Sequence, residues 1–374
     1  MPVIAGAVLL AAAGFLLLFR SNDTGQLTIG PSPGPVDGAT AAPTGSERLT
    51  LRSLAPLAVA SEVPGAGPLF SGAPDLTLVV GQRERLAFVD MRTGDVRHVR
   101  LPRSMSPPPG IGAMFTVGSN VIVNHHDTVL RLSSARDRPV QVTEDRRAIP
   151  TYDDASMWVS DELTSAVAST AARVALDGTI LERVRLPAVS RPVAGNADGL
   201  IVSSPGGPSV VDGNGADEIA PSGELIASNG RQVARLDCDA AVQCLIVVGT
   251  LDDPDQARTQ LTEDSIPAGY FGLPSGAFSP DGRWVAVPLY RIDPTGALDR
   301  PVITVLEATT GAEAFRVEGP LTQAFSTLPL AWSPDSEWLF VASRDGITGW
   351  NATTGVAHPL TLDMEPPRAL AVIE

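Results

Sequence analysis

Lysine is absent from this sequence, and charged residues of both signs are scarce. All 27 basic residues are arginines and 42 residues are acidic, which gives a formal net charge of −15. This excess of negative charge argues against a nucleic-acid backbone as partner, because phosphates attract a positive surface. Charged residues make up only 18% of the chain, against an average of about 25%. The hydrophobic fraction of 44% is nevertheless too high for a disordered chain.

The composition also disfavours long helices. Gly (35) and Pro (33) together form about 18% of the 374 residues, against an average of about 12%. Both residues are poorly tolerated in a helix interior. The composition therefore favours strands and turns.

Sequence motifs for catalysis are missing as well. We find no G-x-S-x-G nucleophile elbow, no P-loop and no dinucleotide-binding glycine motif. The four histidines, His98, His125, His126 and His358, have no metal-ligand spacing. The sequence predicts no catalytic constellation, no metal site and no cofactor.

The N-terminus carries one long apolar run. Residues Pro2 to Phe19 contain no charge, and 18 helical residues span about 27 Å, close to the hydrocarbon thickness of a bilayer. A cleaved signal peptide would need a basic segment before the run and a small-x-small site after it. We predict an uncleaved transmembrane anchor over residues 1–20; a cleaved signal peptide and a buried core helix are the alternatives.

A linker follows the apolar run. Residues 21–48 are dominated by Gly, Pro, Ser, Thr and Ala, with few large apolar side chains. Such a segment cannot bury enough surface to order itself, so we interpret it as a spacer. The remaining residues, 49–374, are predicted to form the folded domain.

Two similar stretches mark a repeat in this domain. They read SGAFSPDGRWVAVP (275–288) and LAWSPDSEWLFVAS (330–343). The first has the turn residues Pro280, Asp281 and Gly282 between two apolar strands, and the second has Pro334 and Asp335. Ser336 stands where the first copy has Gly282, at a cost of about 1 kcal/mol if that position is left-handed.

A Thr-Gly turn recurs with a regular spacing. Gly311 and Gly355 are 44 residues apart, and Gly94 precedes Gly311 by 217 residues. Five units of about 43 residues account for the longer gap, which makes seven units in all. A period of about 40–45 residues with four short strands is typical of a propeller blade.

These motifs resemble the repeat of WD40-like and TolB/YVTN-type β-propellers. Where a WD40 repeat ends its third strand with Trp-Asp, this chain has Val89-Asp90, Leu306-Glu307 and Trp350-Asn351. The resemblance is good over 271–360, moderate over 76–102 and weak between them. It implies an all-β propeller with a central channel, and it implies no activity. Together with the seven units of the period it predicts a seven-bladed propeller, six or eight blades being the alternatives.

Period and alternation place the units of the weak middle region at about 111–143, 148–187, 192–226 and 228–262. Closure of a propeller usually requires a strand from one end of the chain. Arg48 to Leu54 and Ala369 to Ile373 are both candidates for that strand.

The two cysteines, Cys238 and Cys244, flank a short polar turn between apolar strands. We predict a disulfide across this hairpin, which requires an oxidising compartment. Two buried free thiols are the alternative.

Loops between the blades contain several of the few aromatic residues. We hypothesise that Tyr152, Asp154, Tyr270 and Phe271 belong to a face that binds a partner or ligand, because aromatic residues are enriched in binding hot spots. The alternative is that these side chains cap the packing of the blades.

These observations together predict a single-pass cell-membrane protein whose propeller lies outside the cytoplasm and binds another protein or an envelope ligand without catalysis. One alternative is a lyase or hydrolase that uses the propeller channel for an envelope substrate. Another is a scaffold on the cytoplasmic face of the membrane.

Overall fold

The structure is a computed structural model, and it describes most of the chain from residue 47 onward. The described ranges are 47–102, 111–125, 128–134, 138–144, 146–153, 155–161, 168–196, 198–204, 207–219, 223–238, 244–251, 270–272, 276–292, 298–318, 330–343 and 346–374. The predicted anchor (1–20) and nearly all of the predicted linker (21–48) lie outside them. No helix in the described ranges has the length and apolarity to cross a membrane.

Every regular element in the described ranges is a β-strand. The first half of the chain contributes β1 (Arg52–Ser53), β2 (Ala58–Val63), β3 (Thr77–Gly81), β4 (Arg85–Asp90), β5 (Val96–Arg100), β6 (Ile111–Val117), β7 (Asn120–His125), β8 (Thr128–Leu132), β9 (Val140–Glu144), β10 (Arg147–Ile149), β11 (Ser156–Ser160), β12 (Ser169–Ala175), β13 (Ile180–Leu186), β14 (Arg191–Gly195) and β15 (Leu200–Ser204). The second half contributes β16 (Gly207–Asp212), β17 (Gly215–Glu218), β18 (Glu224–Ser228), β19 (Gln232–Cys238), β20 (Cys244–Thr250), β21 (Tyr270–Gly272), β22 (Ala277–Phe278), β23 (Trp284–Ile292), β24 (Leu298–Glu307), β25 (Glu313–Glu318), β26 (Leu330–Trp332), β27 (Trp338–Ser343), β28 (Gly346–Asn351), β29 (Ala357–Leu360) and β30 (Ala369–Ile373).

These strands form seven antiparallel sheets, which are the blades of a propeller. From the inside outward, blade 1 is β30-β3-β4-β5-β2 and blade 2 is β6-β7-β8-β9-β1. Blades 3 and 4 are β10–β13 and β14–β17, and blade 5 is β18–β20 within the described residues. Blade 6 is β21 and β22 beside β23-β24-β25, and blade 7 is β26–β29. The prediction of seven blades is confirmed.

The blades close into a ring through their innermost strands. β30 contacts β6, β10 contacts β7 and β14, β18 lies between β14 and β22, and β26 contacts both β22 and β30. The C-terminal strand β30 therefore completes blade 1 by pairing with β3, and it lies between blades 7 and 2. Of the two candidate closing strands, Ala369 to Ile373 takes this position.

The other candidate, Arg48 to Leu54, does not close a blade. Residues 47–63, which we call the N-terminal strap, run along the outer edges of three blades. The Leu49 amide donates to the Gly178 carbonyl of blade 3 (2.8 Å). β1 then pairs with β9 of blade 2, and β2 pairs with β5 of blade 1. The strap lies outside because β30 already occupies the inner edge of blade 1.

Seven buried apolar clusters fill the seven interfaces between neighbouring blades. In β3, Leu78 and Val80 pack towards blade 7, whereas Val79 packs towards blade 2. Successive strand residues point to opposite faces, and both faces of a blade are buried. This is why many strands are continuously apolar instead of alternating.

The predicted units that begin at about 111, 148 and 192 agree with blades 2, 3 and 4, which begin at Ile111, Arg147 and Arg191. The predicted end at 262 lies outside the described residues. Blade 4 extends from Arg191 to Glu218, and blade 5 begins at Glu224. The predicted units, 192–226 and 228–262, were therefore wrong in assigning Glu224 to blade 4. The innermost strands of blades 4 and 5 begin only 33 residues apart, so blade 4 is shorter than the period suggests.

Candidate functional site

The propeller has two chemically different faces around its channel. The turn face carries the tight turns that follow each innermost strand, such as 279–283, and those that follow each third strand, such as 308–312. The loop face is the opposite one, where the innermost strands begin.

The Ser-Pro-Asp residues form turns on the turn face. In blade 6 the Ser279 hydroxyl donates to the Asp281 carboxylate (2.6 Å) and accepts the Trp284 amide (3.0 Å). In blade 7, Ser333 binds Asp335 and Trp338 in the same way. These residues, with Pro280 and Pro334 between them, have a structural role.

The two turns share one backbone conformation although their residues differ. Gly282 has φ 74° and Ser336 has φ 64°. The Ser336 hydroxyl accepts a hydrogen bond from the Asp281 amide of the neighbouring blade (3.0 Å). This contact offsets part of the conformational strain that a non-glycine residue has in the left-handed region.

The Thr-Gly glycines are also turn residues. Gly94, Gly311 and Gly355 have φ values of 73°, 69° and 72°. Their amides donate to the carbonyl oxygens of Asp90, Glu307 and Asn351, at 2.8, 2.7 and 2.8 Å respectively. The position that holds Trp-Asp in a WD40 repeat thus begins a turn in blades 1, 6 and 7, although the residues there differ from Trp-Asp.

Tyr152 lies on the turn face directly after β10. Its amide donates to the Gly195 carbonyl of blade 4 (3.3 Å), and the side chain is 38% exposed. The surrounding protein nevertheless raises the pKa of Tyr152 to about 12, so the phenol is neutral at pH 7. The neighbouring Asp153 accepts the amides of Ala155 and Ser156, so its carboxylate holds the turn.

Tyr270 and Phe271 lie at the opposite end of the channel. They belong to β21, which pairs with the same edge of β23 as β22 and precedes β22 in the chain. β21 therefore extends the inner edge of blade 6 towards the loop face. The structure does not bring Tyr152 together with Tyr270 and Phe271, and Asp154 lies outside the described residues.

Cys238 and Cys244 are direct partners across β19 and β20. Directly opposed residues in antiparallel strands have Cα atoms about 4.5–5.5 Å apart, and a disulfide spans about 4.4–6.8 Å. The backbone register is therefore compatible with the predicted disulfide, which stays a prediction.

Three charged residues that the sequence did not single out occupy one level of the channel wall. Arg147, Arg191 and Glu224 are the first residues of the innermost strands of blades 3, 4 and 5. In each of these blades, the turn after the innermost strand ends at a residue whose amide donates to a side chain at the start of the turn. These last turn residues are Ser156, Gly199 and Gln232. The triad residues pair with the residues four positions further along the second strand, which are Ser160, Ser203 and Leu236. The three residues therefore share one depth at the loop face, and we call them the mouth triad.

Electrostatics link two members of the mouth triad, Arg191 and Glu224. Burial raises the pKa of Glu224, and the positive charge of Arg191 opposes that rise only in part. Burial lowers the pKa of Arg191, against the effect of Glu224. The Glu224 side chain is at the same time open to solvent. A carboxylate in the wall of a channel can be accessible to solvent and still have many protein atoms around it.

Arg147 reaches towards the opposite neighbour, blade 2. A Cβ atom on Gly112 of β6 would lie 3.2 Å from Arg147 Nη1. The glycine thus leaves room for the guanidinium against the innermost strand of blade 2. The triad and Gly112 together span the mouth from blade 2 to blade 5.

A short sequence pattern is shared by two members of the mouth triad. Arg191 and Glu224 each stand five residues before an asparagine, in RPVAGN and ELIASN. Asn196 and Asn229 both hold the inner turn by accepting two following amides. Aligning these asparagines would have placed the two charges at one level.

Comparison with known proteins supports the fold and goes no further. No protein-family model matches the chain, and no curated protein matches it. The β-propeller domain of the trilobed protease from Pyrococcus furiosus is similar in structure, with a TM-score of 0.51 and 8% identity, over 86% of this chain and 98% of that one. Apo AztD from Citrobacter koseri gives a TM-score of 0.46 and 12% identity, over 80% and 97%. The Pan2 WD40 domain of Neurospora crassa gives 0.46 and 9%, over 86% and 97%. The likeness to the trilobed-protease propeller agrees with the β-propeller fold seen in the seven blades, and at 8% identity it shows the fold alone.

Proposed function

We propose that this chain is a single-pass, membrane-anchored propeller outside the cytoplasm, which binds a protein or an envelope ligand at its loop face and has no catalysis of its own. The observation that carries the proposal is the mouth triad. Three charged residues from consecutive blades share one depth at the loop face, whereas on the turn face the carboxylates of Asp90, Asp281 and Asp335 accept backbone amides and hold turns.

The course of the strap supports this arrangement. Glu47 and Leu49 pair with Ile180 and Gly178, beside the third turn of blade 3, so the described chain starts at the turn face. A linker from a membrane anchor would therefore reach the domain at the outer rim of that face. The loop face, with the mouth triad, would point away from the attachment point.

Membrane placement is tested with a topology reporter fused to the C-terminus of the full chain. We expect reporter activity outside the cytoplasm. Activity inside the cytoplasm would favour the alternative of a scaffold on the inner membrane face.

The state of Cys238 and Cys244 tests the compartment independently. Mass spectrometry of protein from its native envelope under non-reducing conditions should find one peptide pair joined by a disulfide. In the chain-entropy model this short loop stabilises the fold by about 2 kcal/mol. Two free thiols would contradict an oxidising location.

Partner binding is tested by crosslinking and pull-down with the domain 47–374. We expect the Arg191→Glu variant to lose partners that the wild type retains, because it reverses a charge at the mouth. Arg92→Glu, at an exposed site on the turn face, is the matched control. Equal recovery with both variants would place binding elsewhere.

One observation favours the channel enzyme as a second candidate. Carboxyl groups with a raised pKa are common among general acids and bases, and Glu224 is such a group at a channel mouth. A screen of envelope substrates should then show turnover that Glu224→Gln abolishes. Turnover that survives this change would remove Glu224 as its catalytic residue.

A further inference from the structure

We propose that one water molecule is bound inside the interface between blades 3 and 4, where it bridges the Trp158 indole and the Thr151 hydroxyl. Trp158 is fully buried, and Thr151 is 5% exposed. Neither Trp158 Nε1 nor Thr151 Oγ1 has a hydrogen-bond partner among the residues that the structure describes. Buried polar groups nearly always have a partner, and ordered water supplies it where the protein does not.

The two side chains lie on the same face of blade 3. Ile149 of β10 pairs directly with Trp158 of β11, and both pack against blade 4. Thr151 follows Ile149 by two residues, and residues two apart in an extended chain point to the same face. Thr151 and Trp158 are thus diagonal neighbours, with Cβ atoms about 7 Å apart. An indole and one water can connect a hydroxyl across this spacing.

Gly195 of blade 4 brings the two polar groups to one place. It forms a parallel bridge with Thr151, and its amide donates to the Pro150 carbonyl (2.9 Å). A Cβ atom on Gly195 would lie 2.3 Å from Trp158 Nε1. The N–H edge of the indole therefore lies against the same residue of β14 as Thr151 does.

The Gly199 carbonyl supplies a third partner for the water. Its oxygen would lie 3.3 Å from the same Cβ position on Gly195, and it accepts the Asn196 amide (3.0 Å). A carbonyl oxygen has two lone pairs and can accept a second hydrogen bond. The water would accept from Trp158, donate to Gly199 and share its third hydrogen bond with Thr151. Three hydrogen bonds are the usual number for a buried water.

Trp350 shows why Trp158 needs a polar partner. The Trp350 Nε1 is likewise buried and has no hydrogen-bond partner in the described part of the chain. Its indole, however, lies among aromatic rings, with centroids 5.6 Å from Trp284 in an edge arrangement and 5.2 Å from Phe315. Aromatic rings accept N–H groups weakly. The buried cluster around Trp158 is aliphatic and provides no such acceptor.

A crystal structure of the full chain, at a resolution that shows ordered waters, tests the inference directly. We expect one water within about 2.5–3.2 Å of Trp158 Nε1, Thr151 Oγ1 and the Gly199 carbonyl oxygen. Trp350 Nε1 is the internal control, and should have no water at that distance. The Thr151→Val variant keeps the shape of the side chain without its hydroxyl, and should lose the water.

NMR of the indole groups tests the same contact in solution. The chain has five tryptophans, so single Trp→Phe variants assign every ¹⁵N-labelled indole signal. We expect a nuclear Overhauser effect between water and the Trp158 indole proton in the wild type. This effect should be lost in Thr151→Val, and the Trp350 signal should lack it in both proteins.

Three results would overturn the inference. They are a crystal structure with no water in reach of Trp158 Nε1, a water that persists unchanged in Thr151→Val, and an equal water contact at Trp350. If Thr151→Val fails to fold, the wild-type crystal structure decides by itself. The inference does not depend on the proposed function, because partner capture at the loop face is measured separately.

Discussion

At the scale of single residues, the turn face shows how one conformation is reached with different side chains. Gly282 and Ser336 occupy equivalent left-handed positions, but only the serine has a side chain, and its hydroxyl oxygen accepts a hydrogen bond from the Asp281 amide of the neighbouring blade. A Cβ on Gly282 would lie 2.2 Å from Oε1 of Gln232 in blade 5, so a side chain there would have to displace the end of that glutamine. The same turn thus contacts a neighbouring blade differently in the two copies.

This contrast predicts an order of stability at position 336. Ser336→Ala keeps the left-handed strain and loses the acceptor for the Asp281 amide, so it should destabilise the domain by about 1 kcal/mol. Ser336→Gly loses the same acceptor but relieves the strain, and should be more stable than the alanine variant by about 1 kcal/mol. Urea unfolding compares the three proteins. An alanine variant at least as stable as the glycine variant would refute the assignment of strain.

His98 predicts a pH dependence. The side chain is 7% exposed, and burial together with Arg85 lowers the pKa of His98, against the opposing charge of Glu365. The unfolded chain therefore binds a proton at higher pH than the folded one does. The stability that the neutral imidazole contributes is present above about pH 6.5 and is lost as the pH falls through that value.

We accordingly expect the free energy of unfolding to fall between pH 7.5 and pH 5.5, and to fall less in His98→Gln. The comparison at pH 7.5 gives the structural cost of the substitution itself. Identical pH slopes for the wild type and the variant would show that His98 does not titrate with unfolding.

At the scale of elements, the strap adds an outer strand to two blades and an amide contact to a third. Leu49 and Leu51 are half-buried against the cluster between blades 2 and 3. Val59 and Val63 of β2 are instead 46% and 53% exposed. The strap is thus attached by apolar contacts at its beginning and chiefly by backbone pairing at its end.

Leu51→Ala should therefore lower the free energy of unfolding by about 1–2 kcal/mol, less than a fully buried leucine would. Val59→Ala is the control on the same strap, and should change stability by less than about 0.5 kcal/mol. Denaturant unfolding measures both. If Leu51→Ala costs no more than Val59→Ala, the beginning of the strap does not pack on blades 2 and 3.

At the scale of the whole molecule, the number of blades was predictable because blades 1, 6 and 7 repeat the same short turn sequence. The Thr-Gly turns at Gly94, Gly311 and Gly355 all have a left-handed glycine, so the two spacings between these glycines were enough to give seven blades. The boundary between blades 4 and 5 was wrong because period alone placed it there.

The mouth triad was not predictable from periodicity. Its residues lie 44 and 33 positions apart in the sequence, and bulges in β14 and β18 help to set their common depth. The predicted aromatic site was divided because the innermost strands run through the channel. Residues before and after such a strand emerge on opposite faces.

The ring is closed by pairing of the C-terminal strand β30 with β3, and an engineered disulfide between these strands tests that closure. Val79 of β3 and Ala371 of β30 are direct partners, whereas Leu370 points to the other face of the blade. We expect a Val79→Cys, Ala371→Cys protein to form this disulfide under oxidising conditions, identified by mass spectrometry of its peptides. A Val79→Cys, Leu370→Cys protein should not form one. Absence of the first disulfide, or equal yields in both proteins, would contradict closure of blade 1 by the C-terminal strand.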